Sequence, residues 1–339
     1  MQPPEQMHND SPFITPPAEQ KNKKMFVTGI ILGLVILVVG LIALTLYRVY
    51  SGAKTDNFTL AVSQTLRLPA LKINGQPVYY TEYAEDLEAI KILHNYDAQN
   101  NGPTANYTPE MMSDQVLWRL TNTVLINDAA ARFGLTVEES DLTELRDAIK
   151  KQFKTPEEID AALKAHYGWD LVTYERKVLR PAVLQQKLKT IVEGDAGFKE
   201  SVRQEAQKIL DQVKGGADFS LLAQRYGYDA TAERGGELGW FAKGEMVPEF
   251  EEAAFNLKPG ELDQNLVETQ FGFHILKVSG KRTEKVKDSN GKTINQDQVQ
   301  ASHILFAPTV GKYLDMIARQ SDIHLYLNVH DPFAELKQQ

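Results

Sequence analysis

The histidines and the acids near them are the groups to weigh first, because the chain holds no cysteine and therefore no thiolate nucleophile, disulfide or thiolate-bound metal. Residues 273–278 alternate as a strand does, putting His274, Leu276 and Val278 on one face and Phe273, Ile275 and Lys277 on the other. An imidazole on an apolar strand face must find a hydrogen-bond partner. A second alternating run, ASHILF at 301–306, carries His303 between Ala301 and Leu305 and is expected to supply it. His94 and His166 are isolated, and His324 and His330 are too sparse to hold a metal, so no metal site and no cofactor is expected. Asp229, in YGYDAT, reads by itself as a turn residue.

The elements around these residues are well punctuated. Gly235, Gly236 and Gly239 permit positive φ beside a surface where a Cβ would intrude. Pro248 opens a short helix that turns Phe250, Ala254 and Leu257 inward, and Lys258-Pro259-Gly260 ends it. Before this segment, a helix carries Val202, Ala206, Ile209 and Val213 on one face and stops at Gly215-Gly216.

Further upstream, residues 111–193 have helical period. Thr108-Pro109 starts a helix with Val116, Leu117, Leu120 and Val124 inward, and Gly134 ends it. Thr136 and Glu139 form the expected capping box of a second helix, and Thr155, Pro156 and Glu158 start a third. A fourth runs from Asp170, with Pro181 expected to bend its axis. Asn74-Gly75 between two apolar runs predicts a two-stranded ribbon over 71–83.

Residues 25–47 contain no charge and are long enough to cross a hydrocarbon core of about 30 Å, so they predict one transmembrane helix. Lys21, Lys23 and Lys24 before it, against Arg48 and Lys54 after it, orient the N-terminus to the cytoplasm. Residues 1–24 are expected to be a disordered cytoplasmic tail, and 48–66 a stalk. The net charge of -8 and pI near 5.5 argue against a nucleic-acid partner.

Over 71–193 the order of INGQPV, LINDAAARFGLTVEESDL and GWDLVTYERKVLRPAVLQQKL resembles the N-terminal domain of SurA/PrsA-type foldases, which implies binding of unfolded clients. Residues 217–226, then GGELGWFAKGEMVPEFEEAAFNLKPGEL at 235–262 and VETQFGFHILKV at 267–278, are similar to the parvulin family in order, spacing and residue type. ASHILF resembles the strand that opens a parvulin domain, yet here it follows the rest. Either the domain is circularly permuted, turning back through 288–291, or ASHILF begins a degenerate second repeat.

The resemblance implies an α+β protein: a helical chaperone domain and a parvulin-like domain with a four-stranded antiparallel sheet, after one membrane helix. The expected domains are 67–195 (chaperone), 196–308 (isomerase) and 309–339, which returns to the chaperone domain so that 322–329 pairs with the ribbon at Leu71. It further implies a peptidyl-prolyl cis/trans isomerase acting on unfolded or proline-containing polypeptides outside the cytoplasmic membrane. The family's polar site residues transfer to Asp229, Thr269, His274 and His303. Its proline pocket transfers to Leu238, Met246 and Phe250, with Phe273 as a wall. A non-catalytic client-binding chaperone and an assembly factor with one fixed partner are the alternatives.

Overall fold

Glycine, proline and short polar side chains set where many of the elements start or stop. The computed structural model describes residues 18–99, 107–153, 155–287, 293–334 and 336. In chain order these form α1 (Ala18–Gly52), α2 (Asn57–Leu66), β1 (Pro69–Ile73), β2 (Gln76–Tyr79), α3 (Tyr80–Gln99), α4 (Pro109–Arg132), α5 (Glu139–Lys150) and α6 (Pro156–Tyr167). There follow α7 (Leu171–Tyr174), α8 (Arg180–Gly194), α9 (Ala196–Lys214), α10 (Phe219–Tyr226), β3 (Glu237–Ala242), α11 (Pro248–Asn256), β4 (Val267–Thr269), β5 (Gly272–Lys287), β6 (Thr293–Phe306), α12 (Val310–Gln320) and β7 (Ile323–Leu325). The chain divides into two compact units, residues 1–87 with 323–331, and residues 88–322 with 332–339.

In the first unit, Ile30–Gly52 is long and apolar enough to cross a bilayer, and its side chains from Ile30 to Val39 stand exposed. Residues 1–17 of the expected tail lie outside the described residues. Residues 18–24 are helical rather than disordered, because Glu, Gln and Lys are good helix formers and extending a nucleated helix costs little. The expected stalk is also structured. Asp56 caps α2 by accepting from the Thr59 N–H, Arg48 pairs with Asp56, and Val49, Thr59 and Ser63 are buried.

Asn74 and Gly75 have φ of 50° and 82°, the left-handed pair that a tight hairpin between twisted strands requires. β7 adds antiparallel to the other side of β1, pairing Leu71 with Leu325 and Ile73 with Ile323, so the sheet order is β2-β1-β7. The return of 322–329 to the Leu71 ribbon thus occurs over Ile323–Leu325.

The second unit holds α4 to α12 and the larger sheet. Thr108 caps α4, and α4 packs on α8 with Val116, Leu117, Leu120, Leu184 and Leu188 buried. The capping box of α5 lies two residues beyond the expected one. Glu138 is the N-cap and donates its N–H to Asp141 (2.8 Å), while Thr136 donates its hydroxyl to Glu138. Ahead of Pro181 the helix widens into a π-turn, Glu175–Leu179. Proline lacks the N–H and crowds the carbonyl four residues back, and one wider turn accommodates both defects, where a simple bend was expected.

The larger sheet is antiparallel with order β3-β6-β5-β4. β6 comes last of the four along the chain yet lies between β3 and β5, so ASHILF completes this sheet. The expected turn at 288–291 lies outside the described residues. One face carries Val267, Leu276, Val278, Val299, Ala301 and Phe241 against Phe250 and Ala254 of α11. The other is covered by α9 and α10. From Thr283 to Lys287, β5 pairs only with β6, leaving a two-stranded ribbon beyond the body of the sheet.

Candidate active site

Strand pairing brings the polar residues together. Opposite partners in an antiparallel ladder share a face, and the register sets His274 against Leu305 and His303 against Leu276, so both imidazoles emerge on the α11 face. Their rings stack at 5.2 Å between centroids, and the Phe250 ring of α11 stands edge-on to both, at 5.1 and 5.6 Å.

A hydrogen-bond chain runs through them. Thr269 Oγ1 lies 2.8 Å from His274 Nε2, His274 Nδ1 3.0 Å from His303 Nδ1, and His303 Nε2 3.0 Å from Asp229 Oδ2 and 3.1 Å from Thr231 Oγ1. The hydroxyl of Thr231 donates to Asp229 Oδ1 at 2.6 Å, and its N–H donates to the same oxygen at 3.1 Å. Burial pushes the His274 imidazole down to about 4; the neighbouring His303 adds to this and Asp229 opposes it. Burial likewise holds His303 below its ordinary value, against the pull of Asp229. Burial tends to raise the Asp229 carboxyl, but the Thr231 hydrogen bonds and the nearness of His303 outweigh it, so the group lies below its ordinary value.

Two neutral imidazoles and one carboxylate fix every proton in the chain. The carboxylate only accepts, so His303 carries its proton on Nε2 and leaves Nδ1 bare. His274 must then donate from Nδ1 and accept at Nε2 from the Thr269 hydroxyl. Thr269 Oγ1 in turn accepts the Phe271 N–H at 3.1 Å. Each buried polar atom of the chain is satisfied by one consistent arrangement, and no member is left to act as a free base.

Beside this chain is an apolar surface. Phe250 is 3% exposed, and Leu238 and Met246 are half-buried against the same cluster of Leu276, Val278 and Ala301. Gly236 lets β3 approach: its φ is 82°, and a Cβ there would lie 2.1 Å from the His303 carbonyl oxygen. The His303 N–H donates to the Gly236 carbonyl at 2.9 Å.

Of the eight residues singled out from sequence, seven gather here: Asp229, Thr269, His274, His303, Leu238, Met246 and Phe250. Phe273 does not. As the neighbour of His274 on the same strand it points to the opposite face, where it is buried with the Lys199 ammonium 5.8 Å from its ring centre, so it cannot wall the pocket. Thr231 was missed. The Asp-x-Thr spacing that forms an Asx-type turn was its only local signal.

A SurA-like N-terminal domain profile matches residues 20–166, and a PPIC-type PPIase domain profile matches 186–282. Fold and both matches define a chain that couples a SurA-like N-terminal domain to a PPIC-type domain. The foldase protein PrsA of Halalkalibacterium halodurans is 32% identical over 245 residues, covering 61% of this chain and 71% of that protein. The chain belongs to the PrsA foldase family. Chaperone SurA of Ralstonia nicotianae is 37% identical over 132 residues, which are 38% of this chain and 26% of that one, so the chain spans about a quarter of that relative's length. A crystal structure of the peptidylprolyl isomerase PrsA from Bacillus anthracis aligns with 25% identity over 51% of this chain and 82% of that one, at a TM-score of 0.24.

Proposed function

We propose that the chain is a parvulin-type peptidyl-prolyl cis/trans isomerase with chaperone activity, held in the cytoplasmic membrane by α1. Its clients are unfolded, proline-containing polypeptides. The observation that carries this reading is the fully satisfied chain Asp229–His303–His274–Thr269 beside the half-open apolar surface of Leu238, Met246 and Phe250.

Rotation about an X-Pro bond faces a barrier of about 20 kcal/mol because amide resonance puts double-bond character into C–N and negative charge on oxygen. No bond need be made or broken. Twisting removes the resonance, so the oxygen becomes less negative in the transition state. A carboxylate held near that oxygen disfavours the planar form more than the twisted one, and Asp229, partly exposed at the end of the chain, is the group for that role. Leu238, Met246 and Phe250 hold the proline ring while the preceding carbonyl swings. The neutral histidines hold Asp229 and the strand pair in place; they transfer no proton. Thr269 closes the far end of the chain.

In this reading residues 67–195 bind clients, 196–308 isomerise, and 309–339 return to the first of these. The parvulin order is circularly permuted, which is supported by a PPIC-type match that stops at residue 282, before β6. Lys21 to Lys24 speak for an inside N-terminus, with the domains extracytoplasmic. Protease added to intact spheroplasts should then remove them, and full protection until lysis would reject that topology.

The test of the activity is a cis/trans relaxation assay on a proline tetrapeptide with the detergent-solubilised full chain. Acceleration strongly reduced, with measurable residual turnover, by Asp229→Ala in a protein that stays folded is expected. No acceleration by the folded protein would sink the enzyme, and suppression of client aggregation in the same sample would point to the non-catalytic chaperone.

A further inference from the structure

Thr231 lies outside every set of residues transferred from the parvulin family, yet it makes more contacts to Asp229 than any histidine does. Its hydroxyl is 2.6 Å from Asp229 Oδ1 and 3.1 Å from His303 Nε2, and its N–H is 3.1 Å from Oδ1. Its carbonyl accepts the N–H groups of Arg234 (2.9 Å) and Gly236 (2.8 Å), the latter at the strand start that bonds His303. One residue thus touches the carboxylate, the imidazole and the glycine that admits the imidazole's strand.

The geometry points to Thr231 as the positioning residue of the site: it clamps Oδ1 of Asp229 so that Oδ2 faces His303 Nε2, and thereby holds both histidines in one tautomer. A hydroxyl has one proton and two lone pairs. At 2.6 Å from an anionic acceptor its proton goes to Asp229, so the lone pairs face His303, and Nε2 there must be a donor. If Thr231 could not accept, Nε2 would face one partner only. If it could not donate, Oδ1 would keep just the backbone N–H and the carboxylate could swing about χ2. Loss of the donor is the decisive one: once Oδ2 can turn away from Nε2, His303 no longer has a fixed anionic acceptor there, and the Nδ1–Nδ1 contact with His274 can then be made with the proton on either ring. Thr231 acts through Asp229 and touches no substrate.

This inference rests on the isomerase reading for its kinetic consequence but not for its tautomer. The experiment is nitrogen NMR of the full chain with ¹⁵N-labelled histidine, together with isomerase kinetics. In the wild type, His303 should show a protonated Nε2 and bare Nδ1, and His274 the reverse. A wild-type His303 protonated on Nδ1 overturns the proposal whatever the variants do. Thr231→Val, which keeps the shape but has no hydroxyl, should give mixed tautomers and lower kcat about tenfold at unchanged KM. Thr231→Ser should restore both. In an Asp229→Ala background, Thr231→Val should cost nothing further, since a residue acting through Asp229 is non-additive with it.

Unchanged tautomers and kcat in a folded Thr231→Val reject the positioning role, as do independent, additive losses with Asp229→Ala. Should Thr231→Val not fold, Thr231→Ala provides the same readouts without a misfitted methyl. A wild type with the stated tautomers but no isomerase activity would reject the enzyme and leave the clamp standing.

Discussion

In the helices from α4 to α8, polar side chains bond mostly to their own neighbourhood: Thr108 accepts from Met111, Thr155 from Glu158 and Asp170 from Thr173. In the sheet, His274 bonds a residue 29 positions away and His303 one 72 positions away, with both rings buried. The helical histidines are half-exposed and rest on tyrosines, His94 on Tyr107 and His166 on Tyr96. A cap at a solvated helix end can be lost alone for a modest cost. A buried chain is lost together, because removing one member leaves the next unpaired. Long-range pairing is therefore what gathers the polar groups of the candidate site, whereas the helical caps stand singly.

That contrast would break most visibly at Gly236. Gly236→Ala sets a Cβ 2.1 Å from the His303 carbonyl oxygen at a φ of 82°. It is expected to destabilise the protein by about 3 kcal/mol or more and to abolish isomerase activity, as read by denaturant unfolding and the relaxation assay. Wild-type stability would mean that β3 does not approach β6 as described.

Phe250→Ala should cost about 3–5 kcal/mol, since it empties a buried ring site against both histidines. Met246→Ala, at a half-buried position, should lower kcat/KM with little change in melting temperature. Equal melting for both variants would show that Phe250 is not part of the core.

Acid should act on the sheet before the helices. The folded His274 value of about 4 is below the ordinary 6.5, so the unfolded chain binds that proton first. Stability should therefore be level above pH 6.5 and fall as pH drops from about 6.5 to 4, by on the order of 1–3 kcal/mol. His303 is shifted the same way. Hydrogen exchange followed against pH should find β5 and β6 loosening in that window; a stability that rises on acidification would contradict neutral buried histidines.

The smallest effect sharpens the contrast from the helical side. Thr108→Ala removes a cap and should cost about 1 kcal/mol, leaving kcat/KM on a short peptide unchanged. A matching loss of peptide turnover would tie the helical region to the chemistry.

The helices were legible for the same reason that they are separable. Caps at Thr108, Thr155 and Asp170 and the Asn74-Gly75 turn are local codes, read directly from neighbouring residues. Local readings failed by small offsets where two signals compete, as at Thr136 and Glu138, or where a defect has more than one remedy, as at Pro181. The histidine pair was legible through strand alternation together with family likeness. Family likeness kept Phe273 as a wall of the pocket although strand alternation set it opposite His274, and the folded strand follows the alternation, because neighbours on a strand face opposite ways. Thr231 was not legible: its partner His303 is brought to it by a register that only the folded sheet defines.

If the chain is an isomerase as proposed, a strand lying last of the four along the chain completes its working site. Because the chain has no cysteine, a Lys277→Cys/Ser302→Cys pair reports on it without background. These residues are direct partners in the β5–β6 register, and neither belongs to the site. Disulfide formation needs Cα atoms within about 7 Å. Efficient crosslinking within one chain is expected, with isomerase activity retained in the oxidised protein. A folded, active protein that fails to crosslink within the chain, or that loses all activity when the register is locked, would contradict it.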